Sequence, residues 1–225
     1  MFRIKHTNYH EVRKIINGLR NDCSSGFDRI PVKFIKSASD HIISPLVHII
    51  NSSIDHEQFP DKWKIGRICP VPKIDNPSKP KDYRPISILP VLSKVYEKVI
   101  LGQLINHINA QNIYNNIQSG FRKGHSTTTL LLKFRDDIQK AMNKHEITLS
   151  VLIDYSKAFD TINHELLLKK LVEFNFSNST IKILMSYLTN RRQFVQIEDK
   201  SSKELPVHFG VPQGSILGPV VCLVT

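Results

Sequence analysis

The feature that most limits how this chain can fold is an almost wholly apolar run, residues 147–153, that ends at Asp154. Its length is that of a strand rather than a helix, and its lack of polar alternation predicts a strand buried on both faces of a sheet. An ionised carboxylate at the end of such a strand is costly unless a cation or hydrogen bonds satisfy it. The run therefore predicts that Asp154 lies at the edge of a buried sheet, beside a metal ion, an arginine or the following turn.

The first sixty residues have the pattern of helices. Asn8 with Glu11 three residues later predicts a capping box, because each side chain can satisfy a free amide of the first turn. Pro31 predicts the start of a short second helix, and the Ser44-Pro45 pair predicts the start of a third. This part of the chain is therefore expected to be mostly helical.

Apolar periodicity predicts the remaining elements. Helices are expected where apolar residues recur over 91–108, 131–142, 167–174 and 181–188. Asn163 can cap the third of these, and the second carries one stripe that is expected to be buried, formed by Leu131, Phe134, Ile138 and Met142. A strand is expected at residues 65–71 and a hairpin at residues 194–209. Together with the 147–153 strand, these elements predict an α/β (α+β) chain.

A proline-rich, basic stretch follows the 65–71 strand. Prolines disfavour both a helix and a central strand, so an exposed loop is expected there. Between residues 61 and 98, Lys and Arg outnumber Asp and Glu nine to four. The positive charge is therefore concentrated where the backbone is expected to be extended and accessible.

Composition narrows the class of protein. Lys and Arg number 31 against 20 Asp and Glu, a formal net charge of +11, which suggests either a polyanionic partner or a well-solvated basic surface. Three widely separated cysteines argue against a disulfide framework or a zinc ribbon and favour a reducing compartment. No apolar run is long enough to span a membrane, and the first residues lack the pattern of a signal peptide. An intracellular protein, nuclear or cytoplasmic, is expected.

The apolar run belongs to the segment VLIDYSKAFD at residues 151–160, which resembles the first catalytic motif of reverse transcriptases from non-LTR (LINE-type, jockey-like) retrotransposons. Other segments resemble that family's fingers motifs and second palm motif in the same order. They are FPDKWK at 59–64, DYRPISIL at 82–89, SGFRKGHST at 119–127 and VPQGS at 211–215, with GFDRIP at 26–31 similar to the segment before the fingers. Any one of these motifs alone would be weak evidence for the family, but their shared order along the chain makes the resemblance specific.

The resemblance implies a right-hand polymerase fold with helical fingers and an incomplete antiparallel palm sheet. Residues 1–60 would form a helical N-terminal extension, residues 61–145 the fingers and residues 146–225 part of the palm, with the reverse transcriptase domain covering about 54–225. The activity implied is RNA-directed DNA polymerisation from dNTPs, with an RNA template and a DNA primer as partners.

The resemblance also assigns roles to residues. Two Mg²⁺ ions, roughly 3.5 to 4 Å apart in enzymes of this type, would be held by Asp154 and by the backbone carbonyl of Tyr155. Phe159 would exclude a 2′-hydroxyl, Gln213 would reach the nucleotide or template, and Gly214 would let the backbone approach the nucleotide closely.

The cationic residues of the fingers are the candidates for the incoming triphosphate, because guanidinium and ammonium groups neutralise phosphate charge. They are Arg84, Lys94 and Arg122, and each fits a surface charge or a template contact equally well. Ser215 would cap the following helix. Two further pairs are not expected to bind metal. Asp136-Asp137 fits a solvated helix face, and His6 with His10 lacks a third zinc ligand.

The sequence departs from the family in one respect. The paired-aspartate motif expected after Gln213-Gly214 is not present in the sequence, so little polymerase activity is expected from this chain alone. Three hypotheses follow: a polymerase fragment of a mobile element, a non-catalytic nucleic-acid-binding remnant, and an unstable fragment with an exposed sheet edge.

Overall fold

The computed structural model describes residues 1–113, 117–155 and 157–223, and the chain divides into two compact units. The larger unit comprises Met1–Ile113 and Ala158–Thr225, and the smaller unit comprises Tyr114–Lys157. All the strands and all but one of the α-helices in the described residues belong to the larger unit.

Three helices open the larger unit: α1 (Tyr9–Asn17), α2 (Val32–Ser37) and α3 (Ser39–Asp55). The side chain of Asn8 caps α1 by accepting a hydrogen bond from the amide of Glu11 at 3.0 Å. The carboxylate of Glu11 accepts instead from the hydroxyl of Thr7 at 2.6 Å. The predicted cap is therefore present, but Glu11 does not complete the predicted capping box in its usual form.

The predicted start of a helix at Ser44-Pro45 is wrong, because α3 begins at Ser39 and continues through Pro45. A proline inside a helix loses one backbone hydrogen bond and crowds the preceding turn. Burial of Ile43, Leu46 and Ile50 on the same helix offsets this cost. Tertiary packing thus overrides the local preference that the sequence pattern reported.

A mixed sheet lies in the larger unit. Strand β1 (Ile65–Pro72) follows a short 3-10 turn, pairs antiparallel with β2 (Tyr83–Ile88) and pairs parallel with β3 (Arg191–Ile197). The predicted strand at 65–71 and the predicted hairpin are confirmed, since β4 (Lys200–Ser201) and β5 (Leu205–Val207) both pair antiparallel with β3. The β1–β3 pairing makes the sheet mixed rather than purely antiparallel. Strand β2 lies at its edge, which accommodates Pro85.

Helix α4 (Val91–Ala110) is the longest helix of the described residues, and many of its side chains are buried. Helices α6 (His164–Glu173), α7 (Asn178–Leu188) and α8 (Gly218–Leu223) complete the unit. Asn163 caps α6 as predicted, accepting from two amides of its first turn. Within the described ranges, no helix has both the length and the apolar character needed to cross a bilayer.

Aromatic rings fill the centre of this core. The rings of Phe59 and Tyr96 stack with centroids 4.9 Å apart, and Tyr187 meets Phe59 edge-on at 5.1 Å. These three residues come from the segment before β1, from α4 and from α7, so the stack joins distant parts of the chain. Burial raises the pKa of Tyr96 to about 12, which keeps its hydroxyl neutral.

The smaller unit contains α5 (Thr127–Asn143), capped by Ser126. The helix agrees with the prediction, but the predicted buried stripe is wrong, since no residue of α5 is buried and Met142 is 66% exposed. Periodic apolar residues indicate that one face of a helix favours burial against another element. They do not show which element that is.

The predicted strand at residues 147–153 is also not observed. Ile147 is 99% exposed and Leu152 is 94% exposed, and the segment belongs to no sheet of the described residues. An extended segment becomes a strand only when a neighbour takes up its N–H and C=O groups. The apolar composition indicates that the segment favours burial, but it does not identify a neighbouring strand. The prediction of a buried strand was wrong for that reason.

Candidate functional site

Three of the sequence motifs meet in the larger unit: strand β2, the turn at residues 158–162, and the loop of residues 211–217, here called the PQG loop. The amide of Val211 donates to the carbonyl oxygen of Phe159 at 2.8 Å. The amide of Ser87 in β2 donates to the carbonyl oxygen of Gln213 at 2.7 Å. Two main-chain hydrogen bonds thus fasten the PQG loop to segments that are far away in sequence.

Gly210, immediately before the PQG loop, allows one of these close approaches. It has a φ of +76°, and a Cβ at this position would lie 2.5 Å from the carbonyl oxygen of Phe159. Its amide donates to the carbonyl oxygen of Ile162, and its own carbonyl oxygen contacts the His164 ring nitrogen Nε2 at 2.7 Å. Only glycine fits this junction without displacing the backbone.

Gly214 allows the second close approach. Its φ is +111°, and an added Cβ would lie 2.8 Å from the carbonyl oxygen of Ser87. The sequence predicted that Gly214 brings the backbone close to a nucleotide. In the structure the residue approaches β2, and its role toward a nucleotide stays a prediction.

Ser215 contacts the start of α8. Its hydroxyl oxygen accepts a hydrogen bond from the amide of Gly218, the first residue of that helix, at 3.0 Å. The predicted capping contact is therefore observed. It stabilises the end of the PQG loop where the chain turns into the helix.

A cavity of about 250 Å³ opens beside Gln213 and lies within the larger unit. Its volume is slightly below the roughly 300–1,000 Å³ of typical ligand pockets. Polar and charged side chains from several elements line it. They are Lys64, Ser87, Asp160, Arg191, Arg192, Gln193 and Gln213.

The basic residues of this cavity are tied to other groups. Lys64 and Arg191 are each only 3% exposed, and their donors reach Asp61 at 2.9 Å and the carbonyl oxygen of Tyr187 at 2.8 Å respectively. Arg192 is more exposed and its guanidinium lies 3.3 Å from Glu204. Sequence reasoning did not single out Lys64, although it lies in the 59–64 motif, nor Arg191, which carries no local signal of burial.

Two of the predicted triphosphate ligands lie in the larger unit. Arg84 is exposed on β2, and the alternation of side chains along a strand places it on the face opposite Ser87. Lys94, on α4, donates from its ammonium group to the carbonyl oxygen of Ser24 at 3.4 Å. The structure thus brings Gln213 and Gly214 together with Ser87. Binding of a triphosphate by Arg84 or Lys94 stays a prediction.

The other predicted site residues, Asp154, Tyr155 and Arg122, belong to the smaller unit. Asp154 and Tyr155 are exposed, and the guanidinium of Arg122 donates to the carbonyl oxygen of Gln118 at 3.1 Å. Ser156, part of the same motif, lies outside the described residues. The predicted convergence of Asp154 with Phe159 and Gln213 therefore stays a prediction.

The described residues do not by themselves fit a two-metal centre. Among them, no group of three or more His, Cys, Asp or Glu side chains is close enough to hold a metal ion. Asp154 is the one side chain that the family resemblance assigns to metal binding here, and two dications need several oxygen ligands.

A buried glutamate that the sequence analysis missed lies on the other end of the PQG loop. Glu97, on α4, has no exposed surface, and its carboxylate accepts hydrogen bonds from the amides of Ile216 and Leu217 at 2.8 and 3.1 Å. Burial raises the pKa of Glu97, while these amides and the charge of Arg191 oppose the shift. A lone Glu within a helix gave no sequence signal that could have identified it.

Comparisons with known proteins cover almost the whole chain. A family model described as "Reverse transcriptase (RNA-dependent DNA polymerase)" matches residues 71–225. The chain is 33% identical over 219 residues to the probable RNA-directed DNA polymerase from transposon BS of Drosophila melanogaster, which is 97% of this chain and 24% of that protein. It is 34% identical over 215 residues to the corresponding probable polymerase from transposon X-element of the same organism, covering 95% and 24%.

A third relative is the RNA-directed DNA polymerase from mobile element jockey of Drosophila melanogaster. The identity is 31% over 212 residues, which is 94% of this chain and 23% of that protein. The chain thus spans about a quarter of the length of these curated relatives.

Proposed function

Because the chain belongs to the reverse transcriptase (RNA-dependent DNA polymerase) family, we propose that it is part of a polymerase that copies the RNA of a non-LTR mobile element into DNA. The substrates are dNTPs, the template is RNA, and the growing strand is a DNA primer with a free 3′-hydroxyl. The relatives that carry such a name are proteins of transposons, which supports this assignment.

The observation that carries the proposal is the junction of three motifs in the larger unit. The main-chain bonds from Val211 to Phe159 and from Ser87 to Gln213 hold together the predicted 2′-hydroxyl filter, the PQG loop and the edge strand β2. In the proposed function, Gln213 contacts the nucleotide or the template base from this junction, and Phe159 selects deoxynucleotides. The basic cavity beside Gln213 gives a phosphate or base a place to bind.

The proposed architecture is a right-hand polymerase in which residues 61–145 serve as fingers and residues 146–225 as part of the palm, after a helical extension at 1–60. In that arrangement Asp154 and the carbonyl oxygen of Tyr155 would hold Mg²⁺, which would neutralise negative charge on the phosphates. Asp154 supplies only one of the carboxylates needed to neutralise two dications, so we expect weak or no nucleotide addition by this chain alone.

The experiment is primer extension on an RNA template with Mg²⁺ and dNTPs, comparing the chain with Asp154→Ala. Asp137→Asn is the matched control, because Asp137 is an exposed aspartate of α5 paired only with Lys133 at 2.9 Å among the described contacts. Any extension by the chain should disappear in Asp154→Ala and persist in Asp137→Asn. Equal signals from all three proteins would remove the claim that Asp154 performs chemistry in this chain.

Nucleic-acid binding without chemistry is the second candidate, and the net charge of +11 favours it. Measuring the affinity of the same protein preparations for an RNA–DNA duplex distinguishes this second candidate from the polymerase. Binding that is equal in the chain and in Asp154→Ala, with no extension in either, supports the non-catalytic function. Absence of duplex binding would contradict both functions.

A further inference from the structure

We propose that Glu97 is a positioning residue for the nucleotide site, because its carboxylate holds the C-terminal end of the PQG loop and thereby sets the position of Gln213. The proposal rests on the proposed function, which assigns Gln213 to the nucleotide or template. It adds to that function a residue on α4, which lies outside all the motifs that resemble the family.

Both oxygens of the Glu97 carboxylate accept hydrogen bonds. Oxygen Oε2 accepts from the amides of Ile216 and Leu217 and from the hydroxyl of Tyr187 at 3.3 Å, while Oε1 accepts from the hydroxyl of Ser93 at 3.1 Å. Three donors share Oε2 and one reaches Oε1, so both oxygens accept hydrogen bonds from the protein. Such hydrogen bonding lowers the cost of burying a carboxylate without exposed surface.

The two amides need this acceptor. Ile216 and Leu217 immediately precede α8, where amide groups have no carbonyl partner within the helix. Leu217 is fully buried, and a buried amide without a partner destabilises the fold. Glu97 is therefore the group that keeps this end of the loop in place.

The other end of the loop is fixed by main-chain bonds. Val211 is bonded to Phe159, and the carbonyl oxygen of Gln213 is bonded to Ser87. Gly214 already lies so close to the carbonyl oxygen of Ser87 that a single added carbon would be 2.8 Å from it. These contacts hold the loop at one end and Glu97 holds it at the other, so Gln213 lies between two anchors and its position depends on both.

Arg191 connects this anchor to the cavity. It is buried, its guanidinium carbon lies 4.9 Å from the centroid of the Tyr187 ring, and it lines the cavity together with Gln213. Its positive charge favours the ionised form of Glu97. The carboxylate, Tyr187 and Arg191 therefore form one buried network that reaches from the loop to the cavity wall.

Two substitutions separate positioning from general stabilisation. Glu97→Ala removes every acceptor for the two amides. Glu97→Gln keeps one oxygen that can accept from them, while its amide group can donate to Ser93. Ile108→Ala is the matched control for lost stability, because Ile108 is buried on the same helix and its carbonyl oxygen accepts from the amide of Ile113, outside the PQG loop.

The first measurement is amide hydrogen exchange of the whole chain at Ile216 and Leu217. Glu97→Ala should accelerate exchange at these two amides by about tenfold beyond any change at other protected amides, the size expected for one lost charge-assisted bond. Glu97→Gln should restore most of the protection. Ile108→Ala should change the exchange rates of all protected amides by a similar factor. A uniform change in Glu97→Ala, equal to that in Ile108→Ala, would overturn the proposal.

The second measurement is the binding of dTTP to the chain with an RNA template–DNA primer duplex. Glu97→Ala should weaken dTTP binding about tenfold and leave duplex affinity within about twofold, with Glu97→Gln close to the unsubstituted chain. Equal dTTP affinities in Glu97→Ala and Ile108→Ala at matched stability would overturn the positioning role.

The two measurements distinguish failure of the proposed function from failure of the proposed role of Glu97. If the unsubstituted chain binds neither duplex nor dTTP, the proposed function is wrong, whatever the exchange data show. If dTTP binds normally but exchange at Ile216 and Leu217 is unaffected by Glu97→Ala, the proposed function stands and the positioning role of Glu97 is wrong.

Discussion

The amide of Ser87 donates to the carbonyl oxygen of Gln213 at 2.7 Å, so the edge strand β2 and the PQG loop share a main-chain hydrogen bond. The two residues are 126 positions apart in a chain of 225 residues. This bond fixes the backbone of the residue that is proposed to face the nucleotide. It leaves the side chain of Gln213 free to line the cavity.

Gly214→Ala should destabilise the chain by about 2–3 kcal/mol, because a left-handed conformation costs an L-residue about 1–2 kcal/mol and the added carbon also meets the Ser87 carbonyl oxygen. Gly102→Ala is the matched control, since nothing lies within 4 Å of its added carbon and it stands inside α4. It should stabilise by about 0.5–1 kcal/mol. Urea unfolding measures both, and equal effects of the two substitutions would contradict the tight contact.

The stability of the chain relative to Glu97→Gln should fall as the pH rises. The folded-state pKa of Glu97 is raised above its ordinary 4.5 by burial, so the folded state binds more protons than the unfolded state between these two values. The contribution is fully present below about 4.5 and is lost as the pH rises through the folded pKa. Urea unfolding of both proteins from acidic to neutral pH measures this difference. A difference that grows with pH would show that the pKa of Glu97 is lowered instead.

Arg191→Met should destabilise the chain by about 1–3 kcal/mol, because it leaves the buried carbonyl oxygen of Tyr187 without its donor and removes the positive charge that favours the ionised form of Glu97. Arg192→Met removes the same charge from the next residue, whose ion pair with Glu204 is solvent-exposed, and should cost no more than about 1 kcal/mol. Thermal or urea unfolding measures both. Similar losses for the two substitutions would contradict a buried charge network.

Affinity for an RNA–DNA duplex should decrease steeply with salt, because bound phosphates release counterions. Replacing Lys73, Lys79 and Lys81 by Ala should lower the slope of log affinity against log salt by up to about 2–3, since each lost phosphate contact removes about 0.9. Lys14, Lys33 and Lys36 replaced together by Ala give the same charge change on α1 and α2. Equal slopes for the two triple variants would show that binding follows net charge and not the basic loop.

Local signals predicted much of the fold. The family was predicted correctly from ordered motifs, and the caps at Asn8 and Asn163, strand β1 and the hairpin that begins with β3 follow from rules that involve only neighbouring residues. The failures required tertiary information. Pro45 lies inside a helix because its neighbours are buried. The apolar residues of α5 and of the 147–153 segment favour burial, but the sequence does not identify the element that would bury them.

The site was predictable only where a motif carries it. Gln213 and Gly214 were found because their string resembles a known one, and the structure places them against β2. Glu97, Lys64 and Arg191 were missed because an isolated charged residue in a sequence is most often exposed. Their burial arises from elements that are distant in sequence, which no local pattern reports.

The central claim, that Asp154, Phe159 and Gln213 face one nucleotide, is tested most directly by photo-crosslinking. The chain is mixed with an RNA template–DNA primer duplex, Mg²⁺ and a photoreactive dUTP analogue, and crosslinked peptides are mapped by mass spectrometry. We expect crosslinks in both the 151–160 and the 210–217 segments, all suppressed by excess dTTP. Crosslinks confined to one of these segments, or found elsewhere and insensitive to dTTP, would contradict the account.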